Sequence, residues 1–173
     1  MLDLVFLKAE KSDADRVTTL LNSAYRGESS RLGWTTEADL LDGSRTDSTE
    51  ILQLLSDPDS LILLCKADEV LMGTVLLQHV EEAVELGMFA VDPIHQGMGI
   101  GKQLLQKAEQ IAAETWMVKR LVMAVISNRI ELIEFYQRRG YRLTGTAKAF
   151  PVNAALWTPK LENLKLVYLE KWL

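Results

Sequence analysis

Val91-Asp92-Pro93-Ile94-His95-Gln96-Gly97-Met98-Gly99-Ile100-Gly101-Lys102 is the stretch on which the fold turns. The run Ala83–Val91 before it reads as a strand, Pro93 bends the chain, and alternating glycines open into a helix over Gly99–Glu114. Ile100, Leu104, Leu105, Ala108, Ile111 and Ala112 fall on one face of that helix, at the spacing of buried positions. The first amides of a helix lack partners and sit at the positive end of its dipole, so this start suits a phosphate. Glycine lets the backbone approach an anion with no Cβ in the way. Lys102 in the first turn opposes the dipole, and a bound anion would offset that. Two other phosphate motifs do not fit. A P-loop needs Ser or Thr after its lysine, and Gln103 follows Lys102. A dinucleotide fingerprint needs G-x-G-x-x-G early in a βαβ unit and an acid closing the next strand. Here G-x-G-x-G stands in mid-chain and the next strand runs out in Val125-Ile126-Ser127-Asn128.

Upstream, Leu2–Ala9 reads as a strand. Ser12 and Asp15 resemble a capping box before a helix whose Val17, Leu20, Leu21 and Ala24 form an apolar stripe, with a stop near Gly27. Glu28–Thr49 is polar, broken by Gly33 and Gly43, and carries Trp34. Two readings stand: an exposed loop with a short helix, or a mobile cover over a substrate site. Thr49–Leu55 reads as a helix ending at Asp57-Pro58, and Ser60–Lys66 and Val70–Val80 as strands joined by a tight turn at Asp68-Glu69. Downstream come a strand at Arg120–Ile126, a helix at Ile130–Arg139 stopping at Gly140, and strands at Tyr141–Ala149 and Leu164–Glu170. This order predicts an α/β fold, a mixed sheet with helices packed on it.

The chain has 173 residues, 48% hydrophobic and 25% charged, which predicts one domain over 1–173 with its own core. Its longest purely aliphatic run, Leu61–Leu64, is far short of a membrane span, and Met1–Glu10 lacks the features of a signal peptide. Cys65, the single cysteine, cannot form an intramolecular disulfide, so a reducing cytoplasm is expected. A net charge of −5 opposes nucleic acid as a partner and suits an amine. His79 and His95 are too few and too scattered for a metal site, so no metal is expected. Trp116, Trp157 and Trp172 read as structural. Lys119-Arg120 and Arg138-Arg139 read as solvated faces, or as attractors of an anionic ligand. The sequence leaves homodimer formation open.

Gln96-Gly97-Met98-Gly99-Ile100-Gly101 matches the pattern Gln/Arg-x-x-Gly-x-Gly/Ala. Leu86-Gly87-Met88-Phe89-Ala90-Val91-Asp92-Pro93 precedes it, and Glu134-Phe135-Tyr136-Gln137-Arg138-Arg139-Gly140-Tyr141 follows. In these elements, and over nearly its whole length, the chain resembles the GNAT N-acetyltransferase superfamily. The resemblance implies a mostly antiparallel sheet of about seven strands with helices on both faces. It implies an acetyl-coenzyme A-dependent N-acetyltransferase acting by direct attack of a primary amine, on a small molecule or peptide. The alternative is a non-catalytic acyl-coenzyme A sensor of the same fold.

By the same resemblance, Gln96, Gly97, Met98, Gly99, Ile100, Gly101 and Lys102 hold the coenzyme pyrophosphate. The strand ending at Val91 splays from Arg120–Ile126, and the pantetheine arm pairs with Phe89 and Val91. Tyr136 matches the tyrosine beside the thioester sulfur, where a hydroxyl protonates the departing thiolate. Its other reading is a tyrosine packed on the core. Glu85, six residues before Val91, is the candidate general base, or an ordinary glutamate at the start of a strand. Period two puts Glu85, Gly87, Phe89 and Val91 on one sheet face. Many family members place an asparagine seven residues before the tyrosine; here Asn128 is eight before Tyr136 and Arg129 takes the seventh place. Asn128 is carried over as a pantetheine contact through a small bulge. For the acceptor, Trp34 and Glu37, with Asp39 and Asp42, would offer an aromatic wall and acids suited to a cation.

Overall fold

The computed structural model describes residues 2–173. Its elements run β1 (Leu4–Lys8), α1 (Ala14–Tyr25), α2 (Gly27–Ser30), β2 (Leu41–Gly43), α3 (Ser48–Ser56), β3 (Ser60–Ala67), β4 (Val70–Val80) and β5 (Ala83–Val91). Then come α4 (Ile100–Trp116), β6 (Arg120–Ile126), α5 (Ile130–Gln137), β7 (Arg142–Ala149), β8 (Trp157–Pro159) and β9 (Lys165–Trp172). Seven strands form one sheet in the order β1-β3-β4-β5-β6-β9-β7, and only the β5–β6 pair is parallel. This is the expected single α/β domain, with helices on both faces.

The helices divide by face. Leu104, Leu105, Ala108 and Ala112 of α4 and Ile133 and Tyr136 of α5 pack on Val75, Leu77, Val84 and Leu86. Val17, Leu21 and Ala24 of α1 and Ile51 of α3 pack on Ile62, Leu64, Leu76 and Met88 from the other side. α1, α3, α4 and α5 each have an apolar stripe at helical spacing, and burying it drives the layering.

Local signals are displaced by a residue or two. The capping interaction expected at Ser12/Asp15 lies upstream, where the Asp13 carboxylate accepts the Glu10 amide at 2.9 Å. α1 stops at Tyr25 because Arg26 is extended and Gly27 takes a positive φ. The larger departure is in Glu28–Thr49. Beyond α2 this segment supplies β2, which pairs with β8 in a separate two-stranded sheet. Leu41, Phe150 and Trp157 cluster with Ile126 and Leu164 behind it. The segment is thus built into the molecule by pairing with a distant strand.

Candidate active site

β5 and β6 pair only from Ala83↔Arg120 to Leu86↔Met123. From Gly87 onward β5 is no longer hydrogen-bonded to β6, and a cleft opens between them. A bulge produces the divergence: between Thr74 and Leu76 of β4 the register shifts, and Met88 takes a positive φ of 45°. The bulge also reverses the alternation of faces. Val84 and Leu86 face α4, and so do Phe89 and Val91, whereas Met88 and Ala90 face α1. Glu85, Gly87, Phe89 and Val91 therefore do not share one face as simple alternation predicts. Glu85 and Gly87 lie opposite to Phe89 and Val91.

The cleft has two lobes that share Tyr25, Phe89 and Leu132. The first lobe holds the glycine-rich loop expected to act as a phosphate loop, with Gly97, Gly99, Ile100, Gly101 and Lys102, together with Arg138 and Arg139. Gly97 and Gly99 have φ of 83° and 81°, and a Cβ on either would meet nothing within 4 Å, so the loop is an open cradle. α4 has no side-chain cap and no acid in its first turn. Its first amides are left for a ligand, and an anionic diphosphate fits them. The Arg139 guanidinium lies 3.5 Å over the Phe135 ring, and its Nε has no protein partner. Burial and the neighbouring Arg138 lower its pKa, so an anion here would be stabilising.

The Gln96 side chain is engaged within the protein. Its Oε1 accepts the Trp34 amide at 2.8 Å, and its Nε2 donates to Thr35 Oγ1 at 2.8 Å and Val91 O at 3.0 Å. Gln96 thus ties the Glu28–Thr49 segment to the end of β5. Gly33 permits the contact, since a Cβ there would lie 2.4 Å from Gln96 Oε1. Trp34, expected at the acceptor, lies in the phosphate-loop lobe, with its ring 5.7 Å from that of Phe135. The Phe89 carbonyl accepts the Tyr25 hydroxyl. The carbonyls of both residues expected to pair with pantetheine, Phe89 and Val91, are therefore bonded to side chains.

The second lobe, of about 280 Å³, contains Glu85, Tyr136, Glu37, Arg26, Arg45, Arg129 and Trp157. Tyr136 is 5% exposed, and its ring lies 6.1 Å from that of Phe89. Burial, and secondarily Tyr25, push its hydroxyl pKa well up, so it is held protonated. Tyr25 is pushed up to about 12, chiefly by burial. Glu37 is buried between two cations, Arg26 and Arg129, the latter at 3.4 Å. Asn128 is exposed and lines neither lobe, whereas Arg129 projects inward and donates to Thr35 O at 2.6 Å. Arg129 stands where the family asparagine was sought. Arg129, Tyr25, Arg26 and Arg45 escaped the sequence reading, and only Arg129 left a signal, its position seven before Tyr136. Trp157, read as structural, forms part of the cleft wall. His79 stacks on Trp116 and His95 lies 3.7 Å from Asp92.

Comparison with known proteins agrees with this architecture. The sequence profile of the acetyltransferase (GNAT) family matches residues 17–141. The spermine/spermidine N(1)-acetyltransferase of Bacillus subtilis (strain 168) is 37% identical over 62 residues, covering 36% of this chain and 41% of that protein. The match thus spans less than half the length of that relative. The ribosomal-protein-S18-alanine N-acetyltransferase of Escherichia coli superposes with a TM-score of 0.72 at 13% identity, over 98% of this chain and 94% of that one. The paiA N-acetyltransferase of Thermoplasma acidophilum, solved in complex with coenzyme A, gives 0.70 at 18% identity, over 99% and 100%. Such identities speak for the fold alone, and the profile settles the family. With its splayed strands, phosphate loop and profile match, the chain belongs to the acetyltransferase (GNAT) family.

Proposed function

We propose that this protein moves an acetyl group from acetyl-coenzyme A to a primary amine of a small molecule or peptide, by direct attack of the amine on the thioester. The observation that carries the reading is one cleft that holds an uncapped glycine cradle, a strand edge freed by the bulge at Met88, and Tyr136. The donor, when bound, supplies the activated acetyl thioester. The amides of Gly97–Lys102, with Lys102, Arg138 and Arg139, hold its diphosphate end. An arm laid along Gly87–Val91 competes with Tyr25 and Gln96 for the Phe89 and Val91 carbonyls.

Glu85, a carboxylate with no ion-pair partner among the described residues, takes a proton from the acceptor ammonium. The carbon–nitrogen bond forms as the carbon–sulfur bond breaks, the buried, protonated Tyr136 hydroxyl donates to the departing sulfur, and the second proton lost by the nitrogen returns to the Tyr136 oxygen. The products are an N-acetylated amine and free coenzyme A. The protein is read as a single domain of the cytoplasm, and the buried, unpaired Cys65 supports a reducing compartment. Thiol release with a panel of amines, read together with the mass of the acetylated product, tests the reading. Tight coenzyme binding with no turnover on any amine would favour the sensor instead.

A further inference from the structure

Charge is distributed unevenly in the acceptor lobe. Arg26, Arg45 and Arg129 line it against only Glu37 and Glu85. Glu37 is shared by Arg26 and Arg129, so two buried guanidiniums divide one carboxylate. Arg26 is 5% exposed and its Nε has no hydrogen-bond partner. Burial lowers the Arg26 pKa, with Glu37 only offsetting it in part. Arg45 makes no side-chain hydrogen bond and no ion pair among the described residues. Its backbone is nonetheless held at the lobe, because Asn22 Oδ1 accepts the Arg45 and Thr46 amides at 2.8 and 3.1 Å.

The acids read from the sequence as suited to a cationic acceptor are already engaged. Asp39 pairs with Arg31 at 2.8 Å and Asp42 with Lys160 at 3.2 Å, and neither lines the lobe. A polyamine would meet three guanidiniums and one free carboxylate. Buried cations short of anions are costly, and a ligand carboxylate offsets that cost while matching the planar fork of arginine.

Resting on the transferase reading above, we propose that the acceptor is an amine that also carries a carboxylate. Arg45 receives the carboxylate at the Arg26–Glu37–Arg129 end of the lobe. The amine points toward Glu85 and the opening between β5 and β6.

The experiment compares pairs that differ by one carboxylate, phenylalanine with phenethylamine and ornithine with putrescine, alongside spermidine and O-phosphoethanolamine. The carboxylate member of each pair should have kcat/KM at least about tenfold higher, and Arg45→Gln should reduce that ratio to below about threefold. Comparing the ratios in the two proteins cancels intrinsic differences in amine basicity. Arg45→Lys, which keeps the charge and loses the fork, should retain part of the preference. A wild-type preference for spermidine, or a carboxylate preference that survives Arg45→Gln, overturns the proposal. A preference for O-phosphoethanolamine overturns the choice of carboxylate over phosphate.

If coenzyme A binds by calorimetry and no amine turns over, the transferase reading fails by itself. Binding of N-acetylphenylalanine against N-acetylphenethylamine to the coenzyme-loaded protein then decides the carboxylate site. Equal binding of the two overturns it.

Discussion

Tyr136 and Glu85 lie in one cleft in opposite surroundings: the tyrosine is buried among aromatic rings, and the glutamate is exposed at the start of β5. Because burial holds the Tyr136 hydroxyl protonated, its ionisation should not shape the pH–rate profile below about pH 10, where an unperturbed tyrosine titrates. Tyr136→Phe should lower kcat at least about tenfold and leave donor affinity nearly unchanged, since the lost proton acts on the departing sulfur. Unaltered turnover, with chemistry limiting, would make Tyr136 a packing residue. Glu85→Gln should depress kcat/KM most near neutral pH, where an alkylamine of pKa near about 10 is almost wholly ammonium. The loss should shrink as the pH is raised and the amine arrives deprotonated. A uniform loss at every pH would assign the proton to another group.

Two elements meet at the start of α4, the phosphate loop and the Glu28–Thr49 segment pinned to it by Gln96. Gly99→Asp should abolish acetyl-coenzyme A binding by calorimetry. It puts a carboxylate against the diphosphate and a side chain on a residue with φ of 81°, which costs about 1–2 kcal/mol by itself. Gly99→Ala carries the strain without the charge, so it should bind measurably better than Gly99→Asp. Gln96→Ala removes three hydrogen bonds that join Trp34 and Thr35 to β5. It should raise the Michaelis constant for the donor more than that for the acceptor, because Trp34 borders the phosphate-loop lobe. The reverse order would place the segment's function on the acceptor side.

At the scale of the molecule, Glu37 connects three parts of the chain. Arg26 follows α1, Arg129 lies between β6 and α5, and Glu37 itself belongs to the Glu28–Thr49 segment that lines part of the cleft. All three side chains are 8% exposed or less. Glu37→Gln leaves two buried guanidiniums without their shared anion, and should cost about 3–5 kcal/mol in urea unfolding. A loss below about 1 kcal/mol would mean that the cluster relaxes into water on losing its acid.

The glycine loop at Gly97–Lys102 and the main strands and helices were legible in the sequence because they rest on local rules. A glycine cradle at a helix start is set by backbone freedom and unpaired amides. The stripe Leu104, Leu105, Ala108 and Ala112 is set by helical period. The face on which Glu85 lies was not legible, because it depends on a bulge fixed by pairing between β4 and β5, and one extra residue reverses every side chain beyond it. Nor was the sign of the acceptor lobe. Glu37, Asp39 and Asp42 read along the chain as acids available to a cation, yet each is neutralised by an arginine or lysine. Two of those partners, Arg129 and Lys160, are distant in sequence. Charge balance in a cavity is a sum over segments that meet only on folding, so the sequence by itself determined the glycine-rich end of the cleft, and the tertiary structure decided the charge that lines the other.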